Sequence, residues 1–206
     1  MGIVTSPADT TGDVDDAASA GPQVFTWFSS DGARVEQARI APTGSELRVR
    51  GRLVEAGTPE RPAFTLTYDV VVDDEGQARE IALESERAED SRSLTLRYDG
   101  GDAWLATTGA GESERIGTSG VTEVLIAGSM AFFSLAVRAN GLHRAPDEVS
   151  RTALSVEAYD LAVSDTPMSF RSDDSMVHGI TGEAATSAHV DAEGFVLDVP
   201  GSIERR

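Results

Sequence analysis

Cysteine and lysine are both missing from the 206-residue chain. Without cysteine there are no disulfides, no thiolate nucleophile and no cysteine-ligated zinc or iron–sulfur centre. Without lysine, all 17 basic side chains are arginine, set against 35 acids for a formal net charge of -18. Such a surface repels nucleic-acid phosphates and anionic headgroups unless its arginines gather on one face. Along the chain they alternate with acids, as in "ARVEQAR" and "ESERAEDSR", which argues against a nucleic-acid partner and a polybasic membrane adsorber. Long apolar runs are also scarce. The longest uncharged one, Val124 to Val137, has 14 residues, short of the roughly 18 a transmembrane helix needs. The N-terminus has no basic stretch followed by an apolar core, so a cytoplasmic protein is expected.

The usual signatures of catalysis are absent too. The chain has no nucleophile elbow, P-loop, dinucleotide fingerprint or H-E-x-x-H. His143, His178 and His189 do not fall at helical ligand spacing from one another. The acidic pairs Asp15-Asp16, Asp73-Asp74 and Asp173-Asp174 lie in tail or turn contexts, and neighbours on a strand point to opposite faces. No catalytic residue, metal site or cofactor is expected.

What is present suits one domain. Residues 1–22 are small, polar and acidic and have the composition of a disordered arm. Residues 23–206 carry a β-rich pattern. "ELRVRGRLV" alternates Leu47, Val49 and Leu53, with Gly51 interrupting the period as at a bulge. Phe64, Leu66, Tyr68 and Val70 share a face, and an Asp73-to-Gly76 turn leads to Ile81 and Leu83. Leu94, Leu96 and Tyr98 precede an Asp99-Gly100-Gly101 turn and Trp104, and a third turn spans Asp191 to Gly194. Three such hairpins imply an all-β or β-rich α+β antiparallel fold. The exception is "SMAFFSLAVRANGLHR". Ser129 is a suitable N-cap, Phe132, Phe133, Ala136 and Val137 fall at helical spacing, and Gly141 suits C′. A helix over 129–140 follows, with a strand through "FFSLAVRA" as the competing assignment.

Several segments resemble the bacterial "putative glycolipid-binding" family. "TWFSSDGARVEQARI" is similar to its opening motif through Trp27, Asp31 and Glu36, and "PAFTLTYDVVVD" to its second through Tyr68 and Asp73. "LTLRYDGGDAWL" supplies Asp99, Gly100 and Trp104. The ending "HVDAEGFVLDVPGSIERR" supplies Val190, Asp191, Gly194, Pro200, Gly201 and Arg205, with Val199 in place of an aromatic. The helical segment departs from the family: Ser129-Met130 stands for Thr-Pro, Phe132-Phe133 for polar residues, and Arg138 is the one surviving arginine of a pair. A tryptophan–arginine motif is reduced to Arg79. The resemblance implies a strongly curved antiparallel sheet, an open half-barrel with one or two short helices on its concave side. It also implies a lipid or glycolipid ligand.

The leading expectation is therefore non-catalytic binding of an amphiphile. Met130, Phe132, Phe133 and Leu135 would line an apolar cleft, and Arg138 would meet a headgroup. The same residues could instead plug the core, and Trp27 and Trp104 carry the same ambiguity. Two other functions stand beside it. One is a protein–protein interaction module or homo-oligomer with no small ligand. The other is an enzyme with an acid–base site assembled from His178 or His189 and an aspartate.

Overall fold

The computed structural model describes residues 21–59, 61–101, 103–117, 120–173 and 176–206. Residues 1–20 of the expected acidic arm, with Asp15-Asp16, and Asp174 of the third acidic pair lie outside the described residues. One sheet of fifteen strands and one helix make up the described fold. The first eight strands are β1 (Gln23–Ser29), β2 (Arg34–Thr43), β3 (Glu46–Glu55), β4 (Phe64–Val72), β5 (Ala78–Arg87), β6 (Ser91–Tyr98), β7 (Trp104–Thr108) and β8 (Ser113–Ile116). Then come β9 (Val124–Ile126), the helix α1 (Met130–Ala139) and β10 (Glu148–Val156). The chain finishes with β11 (Val163–Ser172), β12 (Val177–Thr181), β13 (Ala184–Val190), β14 (Val196–Val199) and β15 (Ile203–Arg205).

The strand order is β8-β7-β6-β5-β4-β3-β2-β1-β15-β14-β13-β12-β11-β10-β9. Every pairing is antiparallel except β9 with β10. The expected all-β class is observed. The sheet is open, with β8 and β9 as its edges, and the ladders do not roll it into a barrel.

Alternation places the core. Phe64, Leu66, Tyr68, Val70 and Val72 of β4 are all buried, as are Ile81 and Leu83 of β5 and Leu94 and Leu96 of β6. Full burial of such a side chain stabilises by about 1.5–3 kcal/mol. The bulge expected in β3 does not occur: its registers to β2 and β4 run unbroken through Gly51. Gly51 takes the inward position between Val49 and Leu53 because the Tyr68 ring lies over it. A Cβ there would be 2.2 Å from the Tyr68 hydroxyl. The break in period thus marks close packing.

The three hairpins share one construction. Asp73 Oδ1 accepts the Glu75 and Gln77 N–H groups, Asp99 Oδ1 those of Gly101 and Ala103, and Asp191 Oδ1 those of Glu193 and Phe195. The second carboxylate oxygen of each holds an arginine: Arg79, Arg115 and Arg205 in turn. Asp is favoured at such turns because its side chain satisfies the turn's own amides.

The segment from Ser129 is a helix and not a strand. Ser129 is its N-cap and accepts the Phe132 N–H, Arg138 lies in its last turn, and Gly141 follows Asn140 at φ 66°. Eight of its ten residues are buried, so it packs inside the fold. The arginines are less evenly spread than the linear pattern suggests. Arg48, Arg50 and Arg52 alternate along β3, and Arg39 of β2 is the register partner of Arg50, so all four share the sheet's outer face.

Candidate functional site

The helix is anchored by a carboxylate. Glu36 of β2 continues an inward alternation with Ala38 and Ile40, and its side chain is only 2% exposed. Its Oε1 accepts hydrogen bonds from the Tyr68 hydroxyl at 2.8 Å and the Ser129 hydroxyl at 2.5 Å. Its Oε2 accepts the Met130 backbone N–H at 2.6 Å. Burial pushes the Glu36 carboxyl above its ordinary range, opposed by bonds from Ser129, Tyr68, Met130 and Ala131. Burial, with Glu36 beside it, also raises the Tyr68 phenol well above 10. A helix N-terminus carries about half a positive charge and unsatisfied amides; here Glu36 already meets both.

A cleft of about 160 Å³ opens beside this N-terminal turn. Leu125 and Ile126 of β9, Met130 and Phe133 of α1, and Phe170 of β11 form its apolar part. Ser155, Glu157, Thr181 and Thr186 supply polar groups around it. Gly179 lies under the Phe133 and Phe170 rings, whose centroids are 5.2 Å apart; a Cβ there would come within 2.8 Å of both.

A second, larger and more polar cleft of about 620 Å³ lies at the other end of the helix. Leu135, Arg138, His143 and Arg144 face the Asp73-to-Gly76 turn across it. Arg138 stacks on the Phe195 ring at 4.6 Å and donates to the Glu193 carbonyl. Burial lowers its pKa. Burial also lowers that of His143, helped by Arg138 and Arg144.

The five expected ligand residues therefore do not share one cleft. Met130 and Phe133 border the apolar one, and Leu135 and Arg138 the polar one. Phe132 packs edge-on against Tyr68 at 5.4 Å and borders, with Leu135, a space of only about 20 Å³. Ten residues of helix rise about 15 Å, which keeps Arg138 away from the apolar cleft. The contribution of β12 and β13 was not evident in the sequence. Thr181 and Thr186 give no signal until the register Gly179↔Thr186 brings these strands together. In the sequence Glu36 stood out only as a residue of the opening motif, with Trp27 and Asp31, and its role as an anchor was not evident.

The motif residues hold the scaffold. Trp27 Nε1 donates to the Val196 carbonyl and Trp104 Nε1 to that of Val121, each at 2.9 Å, so both tryptophans are core. Asp31 is held below the usual carboxylate range by the Ser29 hydroxyl and the Ala33 N–H.

The histidines do find acids. His178 Nδ1 lies 2.9 Å from Ser187 Oγ and Nε2 3.2 Å from Asp173, and His189 Nδ1 lies 2.8 Å from Asp198. His178 and Ser187 flank the buried Val177 and Ala188 in sequence and so take the outer face of the sheet, away from both helix-end clefts. Among the described residues no group of three or more His, Asp or Glu side chains is placed to hold a metal ion. Among them, too, no helix is long and apolar enough to cross a membrane.

Residues 24–205 match the family described as "Putative glycolipid-binding". The crystal structure of a DUF1089 family protein from Pseudomonas aeruginosa is similar at TM-score 0.70 and 21% identity, over 84% of this chain and 92% of that one. A β-barrel-like protein of the domain of unknown function DUF1849 from Brucella abortus is similar at TM-score 0.53 and 7% identity, over 90% and 94%. At these identities the likeness concerns fold alone. No curated protein matches the chain.

Proposed function

Because the chain belongs to the "Putative glycolipid-binding" family, we propose that it is a non-catalytic binder of an uncharged amphiphile. The cleft at the N-terminal turn of α1 takes the ligand's apolar end. The observation that carries this reading is the pairing of an apolar wall with a hydroxyl-bearing rim beside a helix terminus already neutralised by Glu36. An anion would gain little there. An alkyl chain gains burial against Met130, Phe133 and Phe170, and sugar hydroxyls can bond Ser155, Thr181, Thr186 and Glu157. At about 160 Å³ the cleft is smaller than the roughly 300–1,000 Å³ of drug-sized sites, so it holds one chain end or one sugar and leaves the rest of the ligand outside.

The reading includes a sheet that curves round α1. Support comes from the helix touching Tyr68 of β4 through Phe132 and Phe170 of β11 through Phe133. These strands stand eight places apart in the order, about 38 Å if the sheet were flat. The outer-face position of His178, away from both clefts, favours binding over acid–base chemistry.

Native mass spectrometry with n-octyl glucoside tests the reading. The wild type should hold one molecule, and Thr186→Trp, which fills the rim from a half-buried position, should hold none while keeping its β-sheet circular dichroism. Equal retention by both proteins would refute it.

A further inference from the structure

From the outer face of β2 and β3 we infer a second function: this patch docks the protein onto anionic lipid bilayers. Arg48, Arg50 and Arg52 occupy alternate positions of β3, and Arg39 stands opposite Arg50. All four are exposed. Like charges directly opposite on neighbouring strands destabilise a sheet, so the arrangement has a cost that folding alone does not explain. Asp69 of β4 bonds Arg48 through both oxygens at 2.7 Å and Arg50 at 2.9 Å, and the Glu80 charge also acts on Arg48. Among the described residues Arg39 and Arg52 have no ion-pair partner.

Apolar side chains bracket the cations. Val24, the register partner of Arg39, is 57% exposed, and Val54, two residues beyond Arg52, is 44% exposed. Arginine fixed beside exposed aliphatic groups suits a bilayer surface, where the guanidinium meets phosphate and the valine meets the acyl boundary. A soluble anion would use the charge and not the valines. The chain's charge of -18 does not forbid contact. At physiological salt interactions are screened beyond about 8 Å, so the face nearest the membrane dominates. The inference rests on the amphiphile reading, since such a ligand is met in a bilayer, but it uses a different face of the protein.

The test is sedimentation of the full chain with vesicles of phosphatidylcholine alone or mixed with phosphatidylglycerol, at low and at physiological salt. The wild type should bind the mixed vesicles and not the neutral ones. Arg39→Gln/Arg52→Gln, which leaves the Asp69 bonds intact, should bind roughly thirtyfold more weakly while still retaining octyl glucoside. No preference for the anionic vesicles, or equal binding by the variant, overturns the proposal. So does a wild-type dimer that dissociates in the variant without any vesicle binding, which would assign the patch to a second copy of the chain. Loss of octyl glucoside binding with intact vesicle binding would instead sink the cleft reading alone.

Discussion

Replacing Glu36 tests whether the helix is held by one buried carboxylate. In Glu36→Ala the Tyr68 hydroxyl, the Ser129 hydroxyl and the Met130 amide all lose their acceptor. A buried donor left unsatisfied costs about 1–3 kcal/mol, the terms are not additive, and relaxation returns part of the loss. The expected cost is about 3–5 kcal/mol, comparable to breaking a buried charged network and a large share of the 5–15 kcal/mol that holds a typical domain. Glu36→Gln keeps shape and one acceptor, so about 1–2 kcal/mol is expected near pH 4.5. The pH dependence gives the sharper test. The folded pKa of Glu36 lies above its ordinary 4.5, so the native state binds this proton more tightly than the unfolded state. Its stabilisation is fully present below 4.5 and declines as pH rises through the folded value. The advantage of wild type over Glu36→Gln should therefore shrink between pH 4.5 and 8. Urea unfolding followed by the fluorescence of the buried Trp27 and Trp104 measures it. An advantage that grows with pH would refute the account, and a Glu36→Ala cost below about 1 kcal/mol would show that the helix is held by packing alone.

Other consequences can be checked in the same assay. Gly51→Ala should lower stability by about 2–3 kcal/mol, because the new Cβ displaces Tyr68 and with it a bond to Glu36; an unchanged midpoint would mean that Tyr68 has room to shift. Asp191→Ala removes the acceptor of two turn amides and the Arg205 pair, and should cost about 1–3 kcal/mol. Asp69→Asn on the open face should cost less than about 1 kcal/mol, and equal losses for the two would contradict the distinction between hairpin lock and surface pair.

Local chemistry made some of this legible in the sequence. Ser129 and Gly141 set both ends of α1, and the Asp-to-Gly turns set three hairpins, because caps and turns depend on residues a few positions apart. Glu36 was not legible as a buried anchor. Its partner Ser129 is 93 positions away, and its match to the opening motif did not say that the carboxylate pointed inward. The arginine stripe was half visible: Arg48, Arg50 and Arg52 have the period of one strand face, but Arg39 joins them only through the β2–β3 register. Of the five expected ligand residues, Met130 and Phe133 border one cleft and Leu135 and Arg138 the other, at the two ends of α1, a division that helical spacing in the sequence does not reveal. Eight of the ten helix residues are buried, so burial alone does not say which cleft each one borders.

The strand order carries a consequence for how the molecule comes together. Every ladder but one joins strands that follow each other along the chain; the exception is β1 with β15. Apart from the parallel β9–β10 pair, which closes through α1, each half of the protein is thus a meander that can zip up from its own turns. The contact that makes the two halves one sheet is a three-residue seam, Trp27↔Arg205, Phe28↔Glu204 and Ser29↔Ile203. It brings together the two ends of the domain, so no part of it can form until the last strand has been synthesised. On the ribosome the β1 edge therefore stays open until β15 has emerged, and the segment that closes it, with Arg205 tied to Asp191 and the Arg206 N–H bonded to the Thr26 carbonyl, acts as the latch.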